Sequence, residues 1–264
     1  MRSLAVIAAL FLATLLAGCG LLPEVKDETL AWSANKLYSE AKQSLNEQNY
    51  DLAITYYEKL ESRYPYGRYA QQAQMDLAYA YWKSGEKDSA SVACDRFIQL
   101  HPNHPNVDYV YYLRGLINFN EDLGYMGYLS QQDMTERDPK GMRESFDAFR
   151  ELIARFPDSK YVEDARMRMT YLVTALAGLE VHVARYYMRR GAYVAAINRA
   201  QYTIKSYPDV PATEEALFIM VKAYDELGMT DLRDDTERVM RDNYPNSVYY
   251  TRGLDQKEPW WKLW

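Results

Sequence analysis

Cysteine is nearly absent: the 264 residues contain two, Cys19 and Cys94. Two cysteines cannot build the disulfide framework that staples small secreted domains. Histidine is almost as scarce. Of the three, His101 and His104 flank prolines in one turn (His101-Pro102-Asn103-His104-Pro105) with no Cys or clustered carboxylate beside them, so metal-ligand spacing is missing. His182 falls within a long helical stretch and reads as a packed or partly exposed side chain. No G-x-S-x-G elbow, P-loop or H-E-x-x-H helix occurs. The acidic pairs Glu214-Glu215 and Asp234-Asp235 lie near helix starts, where they complement the dipole, and read as solvated surface. We therefore expect no enzyme, no metal and no cofactor beyond a covalent lipid. An excess of basic residues is also lacking, the formal net charge being −6, which argues against a general nucleic-acid partner.

Long apolar runs are lacking too, with one informative exception at the N-terminus. Met1-Arg2-Ser3 is a short basic start, and Leu4 to Leu16 is apolar. That run is too short to span a bilayer, which takes about 20 residues, but it fits a signal-peptide core. It ends in Leu16-Ala17-Gly18-Cys19, which resembles a bacterial lipobox. There the cysteine thiol takes a diacylglycerol, the peptide is cut before it and the new amine is acylated. Residues 1–18 are thus read as a signal peptide and residues 19–28 as a lipidated linker. Three acyl chains form a durable anchor, each buried methylene contributing about 0.8 kcal/mol. Gly20, not Asp, follows Cys19, which points to the outer membrane. With Cys19 lipidated, Cys94 has no partner and reads as a buried small hydrophobe.

What is abundant is tyrosine, with 25 residues. Its apolar body and polar tip suit packed helices and protein interfaces alike. An aromatic or His followed by Pro recurs at Tyr64-Pro65, His101-Pro102, Phe156-Pro157, Tyr207-Pro208 and Tyr244-Pro245, with prolines 37, 55, 51 and 37 residues apart. A tetratricopeptide repeat has about 34 residues and closes with Pro after its second helix. The interiors agree. The first unit has Ala41, Ala53 and Tyr57; the second Ala78, Tyr81, Gly85 and Ala90. The fourth has Ala184, Tyr187, Gly191 and Ala196; the fifth has Val221, Tyr224 and Gly228, with Arg233 where Ala is usual. The third has Gly115 and Phe149. Small residues let two backbones approach, and Gly ends a helix in a left-handed turn.

The spacing predicts an all-α fold, a tetratricopeptide-repeat superhelix (α-solenoid) of about five helix pairs over residues 29–245. A Trp-rich tail follows over 246–264. An insertion near Asn118–Gly141 stretches the third unit. A long helix from Tyr161 to Arg190 opens the fourth, with Met167, Tyr171, Val173, Leu176, Leu179, Val183 and Tyr187 as its apolar stripe. Such a stack leaves a face lined by first helices. In the repeat register that face receives Tyr38, Lys42 and Leu45, then Met75, Tyr79 and Trp82, then Tyr109, Tyr112 and Leu116. We read it as a groove for an extended, aromatic-bearing peptide, with Asn46 and Lys83 placed to meet a C-terminal carboxylate; the alternative is that several of these side chains are packing residues. The tail contains Trp260, Trp261 and Trp264, and we expect it to dock, on its own last repeat or on a partner in preference to the membrane interface.

Several segments carry a resemblance. They are Tyr79-Ala80-Tyr81-Trp82-Lys83, Arg96-Phe97-Ile98, His104-Pro105-Asn106-Val107-Asp108-Tyr109-Val110, Leu113-Arg114-Gly115-Leu116, Arg137-Asp138-Pro139 and Arg190-Gly191-Ala192-Tyr193-Val194-Ala195-Ala196-Ile197-Asn198-Arg199. Together they resemble the BamD (ComL) family, lipoproteins of the outer-membrane β-barrel assembly machinery. From the lipobox to about Tyr244 the match holds; beyond Pro245 it departs. The resemblance implies five repeats at the periplasmic face of the outer membrane. It also implies contact with a BamA-type barrel insertase, with BamC- and BamE-type lipoproteins and with C-terminal signals of unfolded outer-membrane proteins. It places Asn198 and Arg199 at the insertase interface, where the Arg fork suits a carboxylate, although Arg199 paired within its own repeat is the plainer reading. A pilotin or a cell-wall-synthesis partner is the alternative function; the His-Pro-Asn-His-Pro and Arg-Asp-Pro segments speak against it.

Overall fold

The computed structural model describes residues 27–119 and 139–254. Cys19, most of the insertion in the third unit and Trp260, Trp261 and Trp264 lie outside the described residues. The described residues form helices only: α1 (Ala34–Asn46), α2 (Tyr50–Arg63), α3 (Arg68–Ser84), α4 (Lys87–Leu100), α5 (Val107–Asn118), α6 (Pro139–Arg155), α7 (Val162–Arg189), α8 (Tyr193–Ser206), α9 (Ala212–Glu226), α10 (Thr230–Asn243) and a single turn, α11 (Tyr249–Arg252). From α1 to α10 each packs on the next, and first helices also meet across units, α1 with α3, α3 with α5 and α7 with α9. This is the all-α stack of helix pairs that the repeat spacing predicts.

The aromatic–proline pairs set where second helices stop. A residue before Pro is pushed out of the α region. Accordingly Tyr64, His101, Tyr207 and Tyr244 cap α2, α4, α8 and α10 with φ near −131 to −132° and ψ of 53 to 70°. The backbone N–H of each, and that of Phe156, still donates to the carbonyl four residues back at 2.7 to 2.9 Å. The residues supplying those carbonyls (Leu60, Phe97, Leu152, Thr203 and Met240) are all fully buried. One buried side chain per unit is therefore held at a fixed distance from the stop.

Turns inside the units follow a second rule. Gly85, Gly191 and Gly228 have φ of +91, +70 and +68°. The N–H just beyond each glycine donates to Tyr81, Tyr187 or Tyr224 carbonyl at 2.9 to 3.0 Å, the six-to-one bond of a Schellman turn. In the first unit Gln48 takes this place at φ +61°, with Asn49 N–H on the Ser44 carbonyl at 2.9 Å.

The expected small residues meet at the crossings: Ala41, Ala53, Ala78, Ala90, Ala184 and Ala196 are completely buried. Gly115 faces the ring of Phe149, and a methyl there would approach the ring Cζ to 2.8 Å and two other ring atoms more closely. Cys94 is fully buried, and desolvation, reinforced by Asp95, pushes its thiol up to about 12. His101 and His104 pack against the Phe97 ring with centroids at 5.0 and 5.3 Å, and His101 also meets Gln74 at 3.0 Å.

The long helix needs a correction. It runs 28 residues, close to the predicted span, but Met167 is 61% and Tyr171 40% exposed. Its inward positions are Ala165, Leu172, Ala175, Leu176 and Ala177, which join the central core, and Val181 and Ala184, which join the C-terminal core. One apolar stripe does not serve two cores lying at different angles around the axis.

Because a non-glycine residue in the left-handed region costs roughly 1 kcal/mol, Gln48→Gly should raise stability by up to about 1 kcal/mol, less the backbone entropy glycine adds. Urea unfolding of the two proteins checks it, and a lower midpoint for the glycine variant would count against the turn geometry.

Candidate functional site

On the face built from first helices, the expected groove residues fall into three groups. Around Asp76 of α3, Tyr38 and Tyr57 donate their hydroxyls to Oδ2 at 3.0 and 3.3 Å. The Lys42 ammonium reaches the same oxygen at 3.2 Å, and the Gln72 amide donates to Oδ1 at 3.3 Å. Asp76 is buried, as is Tyr57, and Lys42 keeps 41% of its side chain in solvent. Burial, with Asp76 adding to it, raises both tyrosine hydroxyls well above their ordinary range, so they stay donors. Tyr38 also lies beside Tyr69, centroids 5.6 Å apart.

A second group closes the C-terminal end of α3. Tyr79 and Trp82 meet edge to face at 5.7 Å, and the exposed Lys83 ammonium sits 4.3 Å above the Trp82 ring and 5.9 Å from that of Tyr79. Cation–π attraction holds such an ammonium near the ring while leaving it open to an anion. Asn46 is exposed as well.

The third group joins α5 to α7. Tyr112 stacks on Tyr161 at 4.7 Å and 14°, and donates to Asp164 Oδ2 at 2.6 Å. Arg168 donates to the same oxygen at 2.6 Å. Burial raises Asp164, but these bonds outweigh it and leave the carboxyl below its ordinary value. Beside this group opens a cleft of about 330 Å³ lined by Gln72, Met75, Asp108, Tyr109, Lys160 and Tyr161, among others. It joins α3, the start of α5 and the turn that leads into α7, and has aromatic walls with one exposed lysine.

Several expectations are corrected. Met75 is 2% exposed and belongs to the core, because the helix turns its side chain inward between α4 and α5. Leu45 and Leu116 are buried for the same reason, at 8% and 7%. Glu215 is not solvated surface. It is buried, and it accepts from Arg185 Nε at 2.8 Å and from the Tyr249 hydroxyl at 2.9 Å.

At the other expected contact, Asn198 is exposed. Arg199 donates to Glu180 Oε2 at 2.9 Å while keeping 46% of its side chain in solvent. Glu180 is 5% exposed and also faces Arg143 at 3.5 Å. Arg199 thus has the partner within its own repeat that the plainer reading named.

Asp76, Asp164, Lys160 and Tyr161 were not singled out from the sequence. The one available signal was Asp76 itself, a carboxylate inside the apolar stretch Met75-Asp76-Leu77-Ala78. Among the described residues, no group of three or more His, Cys, Asp and Glu is placed to hold a metal, and no helix is long and apolar enough to cross a membrane.

Stacked helix pairs with an aromatic face between them define a helical-repeat protein of the tetratricopeptide type. Residues 31–239 match the YfiO family, described as outer membrane lipoprotein, and the chain belongs to that family. It is 52% identical over 89% of both chains to a Neisseria meningitidis protein named outer membrane protein assembly factor BamD. Proteins of the same name from Vibrio cholerae and Haemophilus influenzae are 38% and 36% identical, covering 90% and 92% of this chain and 97% and 92% of their own. Among solved structures, MamA covers 81% of this chain and 97% of its own at 17% identity and a TM-score of 0.34; the fold assignment rests on the helix pairing itself.

Asp76→Ala would leave the buried Tyr57 hydroxyl without its acceptor and Lys42 without its counter-ion. A loss of about 2–3 kcal/mol is expected in urea unfolding, against about 1 kcal/mol for Tyr38→Phe. Equal effects of the two variants would mean that Asp76 is not the hub.

Proposed function

We propose that this chain is a lipid-anchored, non-enzymatic scaffold of outer-membrane protein assembly. Cys19 carries the anchor and the repeats lie at the periplasmic face. The observation that carries the reading is 52% identity across nine-tenths of the chain to a relative named as an outer membrane protein assembly factor. The architecture supports it: a stack of helix pairs offers a long, continuous surface, and such surfaces act by binding. On this reading the N-terminal and central first helices receive the aromatic C-terminal signals of unfolded outer-membrane proteins. Tyr38, Lys42, Tyr79, Trp82 and Tyr112 form the wall, with Lys83 meeting the carboxylate. The C-terminal units hold a BamA-type insertase, with Asn198 and Arg199 at the contact, and BamC- or BamE-type lipoproteins complete the assembly.

Arg199 is half-exposed and already oriented by Glu180, so little side-chain freedom is lost when a second carboxylate from a partner shares its fork. A tagged pull-down from gently solubilised membranes should recover a large barrel-forming insertase. Arg199→Glu should cut that recovery at least about tenfold, the scale of losing one interfacial charge pair. The melting temperature of the variant is measured alongside, since the new carboxylate also faces Glu180. Undiminished recovery with Arg199→Glu removes this contact from the proposal, and recovery of a secretin or cell-wall synthases in place of the insertase removes the function.

For the groove, binding of a short peptide ending in an aromatic residue with a free carboxylate should weaken about fivefold or more with Lys83→Ala, as for a charge-assisted bond. A C-terminally amidated peptide should not distinguish the two proteins. If Lys83→Ala leaves the free-acid peptide bound as before, carboxylate capture at this position is wrong.

A further inference from the structure

The stack ends unevenly. Of the fourteen residues of α10 only Met240 is buried. Met229, Leu232 and Val239 are 46%, 48% and 44% exposed. Solenoids need a terminal cap that covers the last core, and α11, at four residues, is too short to cover it. That turn is nevertheless firmly seated. Tyr249 stacks on Phe218 at 5.6 Å and 27°, its hydroxyl donates to Glu215, and Leu254 packs against the C-terminal core.

Between α9, α10 and this turn lies an open cleft of about 710 Å³. Its walls include Val221 and Lys222 from α9, Arg241 from α10, and Tyr250 and Gly253 from the turn. The Lys222 ammonium lies 5.5 Å from the Phe218 ring, and Arg241 pairs with Glu237 at 2.6 Å. An aromatic wall flanked by Lys222 and by an Arg241 guanidinium paired with Glu237, which also lines the cleft, suits a flat, electron-rich ring, and indole is the best natural one. Gly253 is itself part of the wall, so the chain leaves from inside the cleft. The segment that follows, outside the described residues, reads Asp255-Gln256-Lys257-Glu258-Pro259-Trp260-Trp261. Trp260 is seven residues past Gly253, within reach of about 23 Å of extended chain.

We propose that the cleft between α9, α10 and α11 is the docking site of this chain's own Trp260–Trp261 pair, which caps the C-terminal end of the stack. The indoles lie against Tyr250 and Val221 beneath Lys222 and Arg241, and the tail covers the apolar edge of α10. The occupant is intramolecular because the site opens where the tail begins, which gives the tail an effective concentration that a second chain or a lipid surface does not match.

The test places the photo-crosslinking residue p-benzoylphenylalanine at position 262 of the full chain, beside the intact Trp260–Trp261 pair, in its own membrane. Irradiation should give an adduct within one chain, mapped by mass to residues 218–253. Its yield should fall about fivefold in Lys222→Glu or Tyr250→Ala, the weight of about one cation–π contact. Both positions are solvent-exposed, so the fold tolerates the changes. Adducts only to lipid, only to a second copy or only to another protein would overturn the proposal. So would an intrachain yield that neither variant changes.

Discussion

An α-helix cannot run through an aromatic–proline pair, because the ring of proline bars the preceding residue from helical backbone angles. This chain meets such a pair at the end of every second helix. The stop fixes unit length, and because the last N–H before it still closes on a carbonyl four residues back, it also fixes which side chain turns inward. Leu60, Phe97, Leu152, Thr203 and Met240 occupy that place and are all fully buried. Units as different in length as the second and the fourth therefore present equivalent surfaces to their neighbours. The stack is continuous because its punctuation is regular, even where the lengths between stops are not.

A second layer of order is polar. Four buried or half-buried carboxylates stand on first helices; three of them reach back to the preceding first helix and the fourth, Glu180, reaches to the second helix of its own unit. Asp76 of α3 gathers Tyr38 and Lys42 of α1; Asp164 of α7 takes Tyr112 of α5; Glu180 of α7 takes Arg199 of α8; and Glu215 of α9 takes Arg185 of α7 and Tyr249 of α11. Such buried pairs add little net stability compared with apolar packing, and their partners lose much when one member is removed. Asp76, Asp164 and Glu215 fix one register of first helix against first helix, and with it the spacing of the aromatic side chains between them.

The repeat frame was legible in the sequence because its markers are local. Proline, the turn glycines and the small crossing residues each act within a few positions of themselves. Arrangements that depend on distant partners were not. Tyr112 meets Asp164 across 52 residues and Tyr38 meets Asp76 across 38, and no spacing rule connects them. Met75 shows the limit of register arguments. It occupies an inner-face position by count, yet its side chain is 2% exposed and belongs to the core. Glu215 departs in the opposite sense: an acidic residue in a first helical turn is ordinarily solvated, but here Arg185 of the preceding first helix and Tyr249 from the segment after α10 both close on it. On α7 two cores claim different sides of one helix, and a single periodic stripe does not describe both.

That shared helix has a mechanical meaning. In a solenoid whose units touch only their neighbours, partial opening can halt at any boundary between units. Here one unbroken rod of 28 residues feeds its first half into the central core and its second half into the C-terminal core. Fraying from the C-terminal end cannot stop in the middle of the rod without exposing Val181 and Ala184 while Leu172 and Leu176 stay buried on the same helix. The last two units are thus spliced to the centre in the manner of a beam laid across a joint, and a load applied at one end is borne by the whole span.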